Sequence, residues 1–193
     1  MKKLTAEEVK RYSRHLVLQE FGMDGQLRLR RSRVLVVGAG GLGSPALLYL
    51  AAAGVGTIGI VDFDSVDVSN LQRQIIFTIH DIGKNKAEAA QARLAQINPL
   101  VTYHVHSLHI TSANALNIIG NYDLVLDATD NFPTRYLLND ACVLLNKPLI
   151  YGSILKFEGQ VSVFNMPEKD GKRSANYRDL FEQPPSPDSV PNC

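Results

Sequence analysis

The sequence predicts a doubly wound α/β domain in which a mostly parallel sheet carries helices on both faces. Three observations lead there. Short β-branched runs alternate with stretches of helical period from Arg33 to Asn165, and parallel strands need crossovers of that kind. The apolar run beginning at Val34 breaks into Gly38, Gly40 and Gly43, spaced G-x-G-x-x-G, which is the turn between a first strand and a helix in a nucleotide-binding sheet. A chain of 193 residues with 45% apolar and 20% charged residues is long and apolar enough for one buried core.

The elements follow in order. "LTAEEVKRYSRHLVLQEFG" opens with Thr5 and Glu8 at capping-box spacing and places Val9, Tyr12 and Leu16 along an apolar face. It predicts one helix stopping near Gly22, within an amino-terminal segment of residues 1–32. "RVLVV" reads as a buried strand, and "SPALLYLAAAG" as a helix with Ser44 as N-cap and Pro45 at its first position. "TIGIVD" is the second strand. About twenty aperiodic residues follow, "FDSVDVSNLQRQIIFTIHDIG", and a loop of that length inside a domain is usually functional.

"KNKAEAAQARLAQINP" predicts a helix with Ala87, Ala90, Leu94 and Ile97 on one face, ended by Pro99. "VTYHVHS" is a third strand, "TSANALNIIGN" a short helix and "YDLVLDAT" a fourth strand. "FPTRYLLNDACVLLN" is a helix, "PLIYGS" a fifth strand and "EGQVSVFN" a sixth, expected antiparallel. Residues 33–165 thus form the Rossmann-like domain. Residues 166–193 are polar and proline-rich without period, an extended segment over the surface.

Composition excludes several classes. A net charge of +1 gives no reason to expect nucleic acid, although the first 33 residues carry nine Lys/Arg against four Asp/Glu. Ala46 to Val61 is too short and glycine-rich to span a membrane, and the start has no apolar signal core. Two cysteines, with Cys142 on a buried helix face, point to a reducing, cytoplasmic setting.

The glycine loop offers backbone N–H groups at a helix N-terminus to a phosphate, and Asp62, ending the second strand, is placed to accept ribose hydroxyls. The loop alone leaves NAD and ATP open. It excludes a Walker A loop, because Ser44 and Pro45 stand where Lys-Ser/Thr would be. ATP carries about four negative charges against about two on an NAD pyrophosphate, so an ATP site needs cations or a metal nearby. Arg73 in the aperiodic loop, Lys86 in the first turn of a helix and Arg14 near the amino terminus are the candidates. Lys86 is the most informative, since a cation at a helix N-terminus opposes the macrodipole unless a bound anion reverses the balance. "DATDN" brings Asp127 and Asp130 to the carboxyl end of the fourth strand, where parallel sheets bind ligands. A carboxylate beside phosphates suggests magnesium on Asp130, whereas a cap on the next helix is the plainer role for Asp130 or Asn131.

Taken together, "RYSRHLVL", "GAGGLGS", "VDFDSVDVSNLQRQ", "GKNKAEAA", "DATDN" and "EGQVSVF" resemble the MoeB/ThiF type of ubiquitin-activating-enzyme-like adenylyltransferase, which activates sulfur-carrier proteins. The resemblance implies ATP with Mg2+ at Gly38, Gly40, Gly41, Gly43, Asp62, Asp64, Ser69, Asn70, Leu71, Gln72, Arg73, Lys86, Asp130 and Asn131. It also implies a homodimer, in which Arg14 reaches the phosphates of the neighbouring subunit. The family reaction joins the carboxyl-terminal Gly-Gly carboxylate of a ubiquitin-like carrier to AMP and releases pyrophosphate. A carboxylate is already anionic at pH 7, so positioning and charge stabilisation by Arg14, Arg73, Lys86 and magnesium suffice. Whether the carrier serves molybdopterin, thiamine or a thionucleoside lies in the carrier-binding surface, outside these motifs.

Two departures bear on activity. Asn176 and Asp179 stand where many relatives have a zinc-binding C-x-x-C, and without thiolates no structural zinc is expected. His104, His106 and His109 read as an exposed strand face rather than a metal site. Relatives continue for several tens of residues beyond Cys193, some into a rhodanese domain, so the chain reads either as an amino-terminal fragment or as one with Cys193 as its natural end. Cys193, in "PNC", matches a cysteine implicated in thioester or persulfide linkage to the carrier. Two other readings remain: an NAD-dependent oxidoreductase, permitted by the glycine loop and Asp62, and a nucleotide-binding dimerisation module that no longer catalyses.

Overall fold

A computed structural model describes residues 3–184. Its centre is a six-stranded sheet in the order β3-β2-β1-β4-β5-β6. The strands are β1 (Arg33–Val37), β2 (Thr57–Val61), β3 (Thr102–His106), β4 (Leu124–Asp127), β5 (Leu149–Leu155) and β6 (Glu158–Phe164). The first five run parallel, with Val34 opposite Ile58 on one side and Leu124 on the other, and β6 returns antiparallel along β5. This is the doubly wound α/β architecture expected from the alternation of elements.

Both sheet faces are covered, which is why β1 is apolar from Val34 to Val37 rather than alternating. Val34 and Val36 pack with Leu47, Ala51, Ile58, Ile60, Ala87, Ala90 and Leu94. Leu35 and Val37 face the other way, onto Ile119, Leu138, Cys142 and Leu149. The helices on the first face are α4 (Gly43–Ala53) and α5 (Lys86–Ile97); α6 (Ala115–Ile119) and α7 (Phe132–Leu144) cover the second. Cys142 is fully buried, and desolvation pushes its thiol up to about 12. At pH 8 the native protein is therefore expected to leave Cys142 unmodified by iodoacetamide, with alkylation only after denaturation; peptide mass spectrometry reads the difference, and fast native labelling would contradict this packing.

The amino-terminal segment differs from the expectation of one helix. The Thr5–Glu8 capping box forms and opens α1 (Ala6–Arg11), but the helix breaks at Tyr12 and resumes as α2 (Ser13–Leu16). A third helix, α3 (Gly22–Arg31), begins where a stop was expected. Docking of single side chains decides this. Tyr12 is 5% exposed, its hydroxyl accepts from Asn98 Nδ2 at 2.8 Å, and its ring lies where a Cβ on Gly54 would approach to 2.4 Å. Gln26, fully buried in α3, meets His15 Nδ1 through Oε1 at 2.8 Å and donates from Nε2 to Ala53 O at 2.9 Å.

Gly54 also closes α4 in the left-handed region, at φ 84°, which favours glycine. Gly54→Ala is expected to cost about 3 kcal/mol, combining backbone strain with overpacking, and to lower Tm by roughly 6–12 °C. A thermal melt within about 2 °C of wild type would show that Tyr12 does not rest on this glycine.

After Asn165 the chain stays close to the domain. Pro167 and Arg173 form an isolated antiparallel bridge, and a one-turn helix, α8 (Tyr177–Leu180), follows. Tyr177 is 1% exposed and packs on Tyr136, Tyr151 and Phe164. That aromatic anchor gives order to a stretch in which the sequence shows no period.

Candidate functional site

The strand order reverses direction between β1 and β4, and the crevice outside the carboxyl ends of those two strands is where open α/β sheets bind ligands. The glycine loop leaves β1 at this point and "ATDN" leaves β4. The four glycines divide by role. A Cβ on Gly38, whose φ is 93°, would lie 2.7 Å from Ala128 O, and one on Gly43 would lie 1.9 Å from Gly38 O. These two close the β1 turn against β4 and against itself. Gly40 and Gly41 meet nothing nearer than 3.7 Å, from Gln74 Nε2 and the Arg73 side chain. They leave the open backbone surface.

Ser44 is not the N-cap of α4. Leu42 takes that position without a side-chain hydrogen bond, and Ser44 Oγ donates back to Ala39 O at 3.2 Å. The reason is local: the glycine turn carries Ser44 into the first helical turn, where its hydroxyl reaches the preceding carbonyl. The helix N-terminus is thereby free of any competing side-chain acceptor, as an anion site requires.

Asp62 is 9% exposed, and its two carboxylate oxygens accept from Ala39 N at 2.8 Å and Asp64 N at 3.0 Å. Burial pushes its carboxyl up, while those two N–H groups and the charge of Lys86 pull it down. Asp62 therefore braces the glycine loop against the loop segment that follows β2, and each oxygen keeps a lone pair for a hydroxyl donor. Lys86 opens α5, is 7% exposed and holds Asp64 Oδ2 at 3.1 Å from Nζ. Asn85 caps α5 and ties it to the same segment, donating from Nδ2 to Asp62 O and Asp64 O, each at 3.2 Å.

The long loop is fixed rather than loose. Val66, Ile76 and Phe77 are buried in the first-face core, and Asp67 caps a 3-10 turn at Val68–Asn70 through Ser69 N. This turn presents Ser69 and Gln72 outward and Leu71 partly against the core. It also lays Arg73, exposed and held by Ser69 O at 3.2 Å, over Gly41. Gln74, which sequence reasoning passed over, is 3% exposed beneath Gly40, with Oε1 unpaired. A lone polar residue in an aperiodic stretch carries no signal that would have singled it out.

At the end of β4, Asp130 is exposed and Asn131 caps α7 by accepting from Thr134 N at 3.0 Å. The plainer capping role thus falls to Asn131. Asp127 is fully buried; its Oδ1 accepts from Thr129 N and Oγ1, and its Oδ2 sits 3.4 Å from Arg135 Nε. Arg135, also missed, lies over the rings of Phe132 and Tyr151 and donates to Thr129 O, so it pins the turn bearing Asp130.

Arg14 stands apart. Tyr12, two residues before it, docks at the carboxyl ends of α4 and α5, whereas the glycine loop lies at the other end of α4, about 16 Å away for eleven residues. Cys193 lies outside the described residues. Among the described residues, no three His, Cys, Asp or Glu side chains group as a metal cage. His104 is exposed, His106 meets the Tyr122 hydroxyl at 3.0 Å, and His109 stacks on Phe63. Asn176 and Asp179 serve as a capping box for α8, with Asp179 Oδ2 accepting from Asn176 N at 2.8 Å.

A glycine turn, an acid brace and two cations gather at the carboxyl ends of the strands of a doubly wound α/β sheet in the order 3-2-1-4-5-6. The chain belongs to the ThiF family, whose model matches residues 12–193. It is 58% identical over 190 residues to a protein of Mycobacterium tuberculosis (strain CDC 1551 / Oshkosh) described as a probable adenylyltransferase/sulfurtransferase, MoeZ, covering 98% of this chain and 48% of that one. It is 54% identical over 189 residues to the sulfur carrier protein adenylyltransferase of Thermus thermophilus, covering 98% and 70%. The chain therefore spans about half the length of the first relative. Among solved structures, PaaA matches with a TM-score of 0.80 at 26% identity over 100% of this chain and 60% of that one. The E. coli tRNA N6-threonylcarbamoyladenosine dehydratase TcdA in complex with ATP matches with a TM-score of 0.71 at 30% identity over 75% and 59%. No helix among the described residues is long and apolar enough to cross a membrane.

Proposed function

We propose that the protein uses ATP to adenylylate the carboxyl-terminal Gly-Gly carboxylate of a ubiquitin-like sulfur-carrier protein. The observation that carries the reading is the meeting of cations with open glycines: Arg73 lies over Gly41, and Lys86 stands beside Asp62, the brace of the same loop. An NAD pyrophosphate needs neither cation nor an exposed carboxylate at Asp130. The adenylyltransferase names of the relatives and the ATP-bound structure of TcdA support the same choice.

In the reaction, a carboxylate oxygen of the carrier attacks the α-phosphorus of ATP, and the bond from that phosphorus to the α,β-bridging oxygen breaks. The products are a carrier–AMP mixed anhydride and pyrophosphate. The nucleophile is already ionised, so no general base is required. Gly40, Gly41 and the free N-terminus of α4 receive phosphate oxygens, Arg73 and Lys86 offset the charge that develops on pyrophosphate, and Asp62 accepts from the ribose. Asp130, a single exposed carboxylate beside the phosphate site, fits the way Mg2+ is held by one or two carboxylates plus phosphate oxygens. Bound there, the ion would neutralise phosphate charge.

Arg14 fits a homodimer with shared sites, since Tyr12, two residues before it, docks at the end of α4 away from its own chain's glycine loop. An Arg14→Ala variant mixed with a Lys86→Met variant is then expected to recover about a quarter of wild-type activity by random pairing. No recovery after subunit exchange would remove Arg14 from the neighbouring site.

The deciding experiment is carrier-dependent exchange of labelled pyrophosphate into ATP. Exchange with a Gly-Gly carrier is expected. ATP binding without exchange for any such carrier would favour the silent module, and thermal stabilisation by NAD but not by ATP with magnesium would favour the oxidoreductase.

A further inference from the structure

Lys86 has a counter-ion that the nucleotide does not supply. Its side chain is 9% exposed and opens α5, where the helix dipole disfavours a cation. The anion beside it is Asp64, with Oδ2 3.1 Å from Nζ, yet the Asp64 side chain is 47% exposed. The backbone of Asp64 is fastened on both sides. Its N–H donates to Asp62 Oδ1 at 3.0 Å, and its carbonyl accepts from Lys86 N at 2.8 Å and Asn85 Nδ2 at 3.2 Å. Only the carboxylate is free to turn, and half of it already faces water.

We propose that Asp64 is a built-in counter-ion that a polyphosphate displaces from Lys86, which makes it a specificity-determining residue of the site. The inference rests on the ATP reading above. A buried ammonium cannot leave for solvent cheaply, but a half-exposed carboxylate loses little by rotating away. A phosphate arriving at Lys86 is repelled by Asp64 until the exchange takes place. A ligand without phosphate there leaves the pair intact. Asp64 thus lowers affinity for polyphosphates selectively, and by re-pairing with Lys86 it favours departure of pyrophosphate once the α,β bond has broken.

The test is calorimetric binding of ATP, pyrophosphate and adenosine, the first two with magnesium, to the full chain and to Asp64→Asn. The variant is expected to bind ATP and pyrophosphate roughly two- to fivefold more tightly, the range for a partly exposed ion pair, with adenosine unchanged. Asp64→Glu, which keeps the charge, should restore wild-type affinity, and the gain should vanish when Lys86→Met is added to Asp64→Asn. Asp64→Ser gives the same sign should the amide disturb folding. Unchanged or weaker ATP binding in a neutral variant with a wild-type melting curve overturns the proposal. Absence of ATP binding in the wild type itself would instead overturn the nucleotide reading on which it rests.

Discussion

Lys86→Met is expected to lower carrier-dependent pyrophosphate exchange by about 10²–10³-fold, the usual cost of removing one preorganised donor from a developing anion. The variant should weaken ATP binding while leaving adenosine binding unchanged. The physical reason is position: Lys86 is held nearly buried by the Asn85 cap and the Asp64 pair, so its charge is fixed before the ligand arrives. Removing it also removes a cation from a helix N-terminus, which by itself favours the helix. Equal losses for ATP and adenosine, together with a lowered melting temperature, would show that Lys86 serves the fold instead.

Gly43→Ala is expected to be strongly destabilising. A Cβ there would stand 1.9 Å from Gly38 O, a backbone atom that moves only if the β1 turn opens. The expected cost is about 3 kcal/mol or more, a fall in Tm of roughly 6–12 °C. Gly40→Ala makes the contrast, because its Cβ would meet only Gln74 Nε2 at 3.7 Å, an ordinary contact. It should melt within about 2 °C of wild type yet bind ATP at least tenfold more weakly, since the methyl group stands between backbone and phosphate. Differential scanning fluorimetry and nucleotide titration of the two variants separate the roles. Equal stability losses would dissolve the division between packing and ligand glycines.

The strands and the three long helices of the domain were legible because each is a repeated pattern. β1 is a continuous apolar run since both of its faces are covered, and α5 shows Ala87, Ala90 and Leu94 on one face since a single sheet lies beneath it. The breaks in pattern were less legible. Tyr12 interrupts a good helical period because its ring finds Gly54 and Asn98, contacts 42 and 86 residues away in sequence. Ser44 reads as a cap by residue type, but its place inside the glycine turn sends its hydroxyl to Ala39 O. Arg135 sits among other polar residues of a mixed helix and Gln74 in an aperiodic loop, so neither has a period that betrays its burial.

The sequence by itself determined the doubly wound sheet, the glycine turn after its first strand and the set of charged residues that the proposed nucleotide site uses. Order along the chain, residue type and spacing encode these directly. Only the tertiary structure decided which glycines pack against backbone and which leave it open, that Asp62 is a brace for the loop, and that Asp64 is paired with Lys86. It also decided that Tyr12 docks at the end of α4 remote from the glycine loop. Each of these depends on which distant backbone atom lies within a few ångströms, and local sequence pattern does not encode that distance.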